Sequence, residues 1–104
     1  MTVVRRVCRI NGFGDVVWQD DGPGSFTCSG GSGTFTVTFP EVFINADSYV
    51  VFISLFSLYL SSPGSQRFAR VYGRTTNACN IQTITFDGQT STQGFTLELV
   101  GETA

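Results

Sequence analysis

The sequence predicts an all-β fold: one domain, an antiparallel β-sandwich or jelly-roll-like structure of about seven strands. Three observations lead there. Short apolar or alternating segments recur at about eight-to-twelve-residue spacing. Gly, Pro, Asn and Asp clusters divide them. No segment of ten or more residues carries helical period with caps. At 104 residues the chain has the size of a single domain.

Thr2 to Ile10 (TVVRRVCRI) has strand composition, with Val3, Arg5, Val7 and Arg9 on one face and Val4, Arg6, Cys8 and Ile10 on the other. Charges on both faces predict an edge strand or a docking arm over residues 1–10. Asn11-Gly12 and Gly14-Asp15 are turn signals. Val16 to Gln19 predicts a short strand with Trp18 as a packing anchor, a ligand platform being the other reading. Asp20 to Gly24 is a loop, Phe26 to Cys28 a short strand, and Ser29 to Gly33 a flexible turn.

The chain is organised around Thr34 to Leu60. Phe35, Val37 and Phe39 alternate with Thr34, Thr36 and Thr38, the period of a strand with one buried face. Pro40 stops it, having no N–H to donate. Tyr49 to Leu60 predicts a second strand, with Tyr49, Val51, Ile53 and Leu55 on one face and Val50, Phe52, Phe56 and Leu58 on the other. A strand apolar on both faces is expected to be buried on both. So small a chain lacks the material to cover both, which points to self-association. Phe52, Phe56 and Leu58 are the expected oligomer interface.

Beyond the Ser61 to Ser65 turn, Arg67 to Thr75 predicts a strand with Phe68, Arg70, Tyr72 and Arg74 on one face. Asn77 to Asn80 reads as a turn, Ile81 to Phe86 as a strand, and Asp87-Gly88 as a hairpin-type turn. Phe95 to Val100 is the last strand, with Phe95, Leu97 and Leu99 inward and Thr96 and Glu98 outward.

Composition limits the chemistry. Charged residues make up 13% of the chain, against about 25% in a typical soluble domain. The net charge is −2 and all six cations are arginines, too few for a phosphate-binding stripe, so no nucleic-acid partner is expected. There is no His, hence no usual general base or metal ligand. No spacing singles out a carboxylate pair. Asp15, Asp20 and Asp21 offer oxygens for Ca²⁺ but lack the regular ligand spacing of such loops, and the bland reading is a solvated turn. Cys8, Cys28 and Cys79 lack CxxC spacing and read as buried thiols. The expectation is a protein that is not an enzyme, with no cofactor and no metal. Arg5, Arg6 and Arg9 interrupt the apolar start as no signal peptide would, so synthesis in a cytoplasm without a recognisable export signal is expected. Tyr49 to Leu60 is too short to span a membrane, so no membrane insertion is expected.

Binding is easier to motivate. Phe68, Arg70, Tyr72 and Arg74 interleave rings with guanidinium groups, and such rings stack on sugar faces while Arg donates in pairs. The alternative is that the rings are core and the arginines form ion pairs. Arg5, Arg6 and Arg9 are either solvated or dock the chain on an acidic neighbour.

The segment Thr36 to Phe43, TVTFPEVF, resembles the C-terminal tip domains of bacteriophage tail fibres. There a Gly-rich turn precedes TVTFP-x-x-F, a short loop and an apolar strand like Tyr49 to Leu58. Phe95, Leu97, Leu99 and Gly101 fit the closing strand. The same F-x-x-x-F and Val-rich core carry a more distant likeness to H-type lectin domains. The resemblance spans Gly33 to Gly101. It implies a trimeric β-domain on a virion, made in the host cytoplasm, that contacts other virion proteins and a host-surface glycan. A stand-alone product of this kind is a fibre or spike tip attached by its N-terminal strand, or a capsid decoration (cement) protein.

Overall fold

The structure is a computed structural model and describes residues 2–31, 33–55, 67–85 and 94–103. Its eight strands are β1 (Thr2–Ile10), β2 (Val16–Gln19), β3 (Thr27–Gly31), β4 (Thr34–Thr38), β5 (Tyr49–Leu55), β6 (Arg67–Arg74), β7 (Ala78–Thr85) and β8 (Phe95–Thr103). They form two four-stranded sheets, β2-β1-β8-β5 (sheet A) and β3-β4-β7-β6 (sheet B), with every pairing antiparallel. This is the β-sandwich that the spacing predicts.

The core lies between the sheets and follows the period-2 pattern. Sheet A supplies Cys8, Ile10, Tyr49, Phe95, Leu97 and Leu99, and sheet B supplies Phe35, Val37, Cys79 and Ile81. Phe35 meets Phe95 across the layers with centroids 5.1 Å apart, edge to face. That geometry sets the positive rim of one ring against the negative face of the other. All three cysteines are free.

The TVTFPEVF segment closes one end of the sandwich. Phe39 and Phe43 are both buried, 6.0 Å apart, and each contacts the Tyr49 ring. Their backbone N–H groups donate to Asn77 and Thr76 of the β6–β7 turn, and Ile44 N–H donates to Glu102 of β8. The three residues between the two phenylalanines therefore belong to a loop that laces both sheets together.

Five expectations change. β1 is an inner strand, paired with β2 on one side and along its whole length with β8 on the other, from Thr2 opposite Thr103 to Ile10 opposite Phe95. It is neither an edge nor a free arm. The charges that suggested an edge are reconciled because Arg6 faces inward and finds two carboxylates. β3 continues through Ser29, Gly30 and Gly31, which pair with Thr36, Phe35 and Thr34. The glycine run is strand because Gly30, at φ +98°, brings β3 so near β4 that a Cβ would lie 2.3 Å from the Thr34 carbonyl oxygen. β7 begins at Ala78, so the predicted 77–80 turn shrinks to the residues before it. β8 runs three residues past Val100.

The fifth change concerns β5. Tyr49 is buried and Val51, Ile53 and Leu55 pack against the core, as the alternation predicts. The opposite face is not buried within the chain: Phe52 retains 54% of its exposure and Val50 is equally open. Burial on both faces fails because the sandwich has two layers and sheet B covers only the inner side of sheet A. Phe56 and Leu58 lie outside the described residues.

Candidate functional site

β6 stands at the end of sheet B's strand order and alternates cleanly. Ala69 and Val71 pack on the core, while Phe68, Arg70, Tyr72 and Arg74 are exposed. The strand face read from the sequence is therefore a surface face, and its rings are not core. Register then decides what surrounds them. Arg70 is opposite Gln82, which is opposite Thr34, and Arg70 Nε donates to Gln82 Oε1 at 2.8 Å. In the next row Asn80 pairs with Thr36, which pairs with Ser29, and Thr36 Oγ1 donates to Asn80 Oδ1 at 2.8 Å. A bulge between Val71 and Gly73 places Tyr72 beside these rows with 49% of its surface open.

The result is a flat face of hydroxyl, amide and guanidinium groups bordered by the Phe68 and Tyr72 rings. No pocket opens among the described residues, so any ligand held here lies on a surface. Such a face offers rings for stacking and a fan of donors and acceptors for hydroxyl-rich partners.

Arg74 leaves the set. Its guanidinium turns over the end of the sandwich and lies 4.3 Å from the Tyr49 ring centroid. Nε donates to the Ala46 carbonyl at 2.8 Å, and Nη2 donates to the carbonyl of Tyr49. Arg74 is engaged in tying β6 to β5 and the loop before it.

The three N-terminal arginines separate as well. Arg6 is buried, with Nε on Asp20 Oδ1 at 2.8 Å and Nη1 shared between the Pro23 carbonyl and Glu41 Oε2. Its guanidinium also lies 5.3 Å from the Phe26 ring centroid. Nη2 has no hydrogen-bond partner, but burial closes the whole group to another chain. Arg5 and Arg9 are exposed on the outer face of sheet A, where Arg5 makes a two-pronged bridge to Glu98 at 3.1 and 3.0 Å. Phe52 is opposite Glu98 on that face, Val50 is opposite Val100, and Val3 is open nearby on β1. Trp18 also emerges here, opposite Arg9 and 52% exposed, so it is no packing anchor.

Three thiols and one carboxyl are shifted by their surroundings. Burial pushes the thiols of Cys8 and Cys79 up to about 12 and that of Cys28 up to about 11. They are neutral at pH 7 and poor nucleophiles. Burial also pushes Asp20 up. The hydrogen bonds from Arg6, Val7 N–H and Gly22 N–H, with the Arg6 charge, outweigh it and hold the carboxyl below its ordinary value. Among the described residues no three His, Cys, Asp or Glu groups converge as metal ligands, Asp15, Asp20 and Asp21 included.

Sequence reasoning missed Thr34, Thr36, Asn80 and Gln82 as parts of this face, because strand register assembles them. It also missed the Arg6, Asp20 and Glu41 triad. One signal was present: Arg6 shares the phase of Cys8 and Ile10. Compared with known proteins, the chain matches no family model, no curated protein and no solved structure.

Proposed function

We propose that the chain is a non-enzymatic attachment domain of a bacteriophage virion that lays the outer face of sheet B on a host-surface glycan. The observation that carries the reading is the open face of Phe68, Arg70 and Tyr72 beside Gln82, Asn80, Thr36 and Thr34. Rings that stack and side chains that both donate and accept are what a pyranose surface needs. The virion assignment rests on the resemblance of TVTFPEVF to fibre tips.

Assembly as a homotrimer belongs to the same proposal. The outer face of sheet A exposes Val3, Val50 and Phe52 together. Packed around a three-fold axis, that face removes its apolar surface from water and leaves sheet B outward. A glycan array probed with the isolated protein, with its mass measured by light scattering, tests both parts. Binding by a trimer is expected. A folded protein that binds no glycan overturns attachment, and a stable monomer overturns the trimer.

The same apolar patch favours one second reading, a decoration protein clamped on neighbouring capsid subunits. In that case removing the protein lowers shell stability and leaves adsorption to host cells unchanged.

A further inference from the structure

We infer that the outer face of sheet B selects an acidic saccharide, one bearing carboxylate or sulfate, over its neutral twin, with Arg70 as the specificity-determining residue. The inference rests on the glycan reading above and adds the charge of the ligand.

Charge is divided unevenly in this molecule. The four strands of sheet B carry three arginines and no carboxylate, a net +3, although Arg74 turns its guanidinium off the face and over the end of the sandwich. The rest of the chain holds the other three arginines and all eight carboxylates, a net −5, which together give the −2 of the whole. The carboxylates among the described residues go elsewhere for visible reasons. Asp20 and Glu41 are held by Arg6. Glu98 is held by Arg5 on the opposite sheet, and Glu102 lies on β8 with it. Asp15, Asp21 and Asp47 belong to the loops between strands. The described rows of the face are therefore Thr, Ser, Asn and Gln around a guanidinium.

Arg70 is placed to use that bias. It lies between Phe68, two residues back on the same face and so about 6.6 Å along the strand, and Tyr72, which sits in the bulge just beyond. A sugar ring resting on either aromatic brings its exocyclic substituents over Arg70. Gln82 Oε1 accepts from Nε and sets the plane of the guanidinium. A planar fork matches a carboxylate in two-pronged fashion and a sulfate as a charge.

The test compares a neutral hexoside with the matching uronic acid and 6-sulfate, each titrated into the intact protein by NMR. A short poly-glutamate peptide is the fourth ligand. The acidic sugars are expected to bind about tenfold tighter than the neutral one, the worth of one charge-assisted contact. Arg70→Gln abolishes the difference, whereas Arg9→Gln, with the same change of net charge on the other sheet, keeps it. Salt at about 1 M, where the Debye length is about 3 Å, shrinks it. A preference shared by uronate and sulfate supports recognition by charge, and one confined to uronate supports the guanidinium fork. Equal binding of neutral and acidic sugars overturns the inference and leaves the glycan reading standing. No binding of any sugar overturns both. A preference that survives Arg70→Gln in a variant with wild-type urea midpoint overturns the role of Arg70. Equal binding of poly-glutamate overturns selection of a saccharide.

Discussion

Arg6 Nε donates to Asp20 Oδ1 at 2.8 Å inside the sandwich, although the chain separates the two by 14 residues. Asp20 also accepts from the backbone N–H of Val7 and Gly22. The triad that Glu41 completes is a tie between β1 and two loops. Charges this buried are costly to strand. Arg6→Met, which leaves two carboxylates facing each other, is expected to lower unfolding free energy by about 3 kcal/mol in urea titrations.

The same carboxyl gives an acid limb. Its folded value lies below the ordinary 3.8, so its contribution is complete above the unfolded value and is lost as pH falls through the folded one. Wild-type stability should decline on acidification below about pH 4. Asp20→Asn should flatten that limb while costing about 2 kcal/mol at neutral pH. Chemical denaturation repeated across pH measures both.

An alkaline limb comes from the thiols. Cys8 and Cys79 have folded values near 12 against an ordinary 9.0. Raised values of this kind stabilise fully below the unfolded value, and the contribution drains away as pH rises toward the folded one. Each of these two buried thiols should cost about 1.4 kcal/mol per pH unit above pH 9. Cys79→Ala should begin less stable at pH 7 and lose less between pH 9 and pH 11, as followed by circular dichroism.

Gly101 and Tyr49 are in register on β8 and β5. A Cβ on Gly101 would lie 2.4 Å from Tyr49 Cβ and 2.7 Å from the Ser48 carbonyl oxygen, both hard to move. Gly101→Ala should destabilise by about 2 kcal/mol through overpacking. Tyr49→Phe isolates the other half of that contact, the hydroxyl donated to the Thr75 carbonyl at 2.8 Å. It should cost about 1 kcal/mol.

Phe52→Arg separates folding from assembly. Phe52 is open in the single chain and faces Glu98 across the strands. The substitution should leave the thermal midpoint of an isolated chain within a few degrees, a change of under about 0.5 kcal/mol. If the outer face of sheet A joins copies, the same change reduces the measured mass to that of one chain.

What the sequence made legible is local. β4, β5 and β8 follow from alternation, because a strand with one buried face repeats every two residues. Alternation also put Phe68, Arg70, Tyr72 and Arg74 on one face of β6 but left open whether the rings are core or surface, and the structure makes them surface. The misreadings share one physical cause, that the deciding partner is distant in sequence. Arg6 resembled an edge charge until Glu41, 35 residues on, reached it. Trp18 resembled an anchor, but β2 carries it to the outer side opposite Arg9. Asn80 and Gln82 became neighbours of Thr36 and Arg70 only through the pairing of β4, β6 and β7.

The full-length pairing of β1 with β8 sets Thr2 directly against Thr103. Thr2 and Thr103 therefore lie side by side, and a short linker can join these two positions without disturbing either sheet. A circular permutant opened at the exposed Asn45 to Asp47 turn keeps every strand pair and moves the new termini to the rim of the sandwich. Sequence order is then a convention of this architecture, and the strand pairs themselves are what the fold requires.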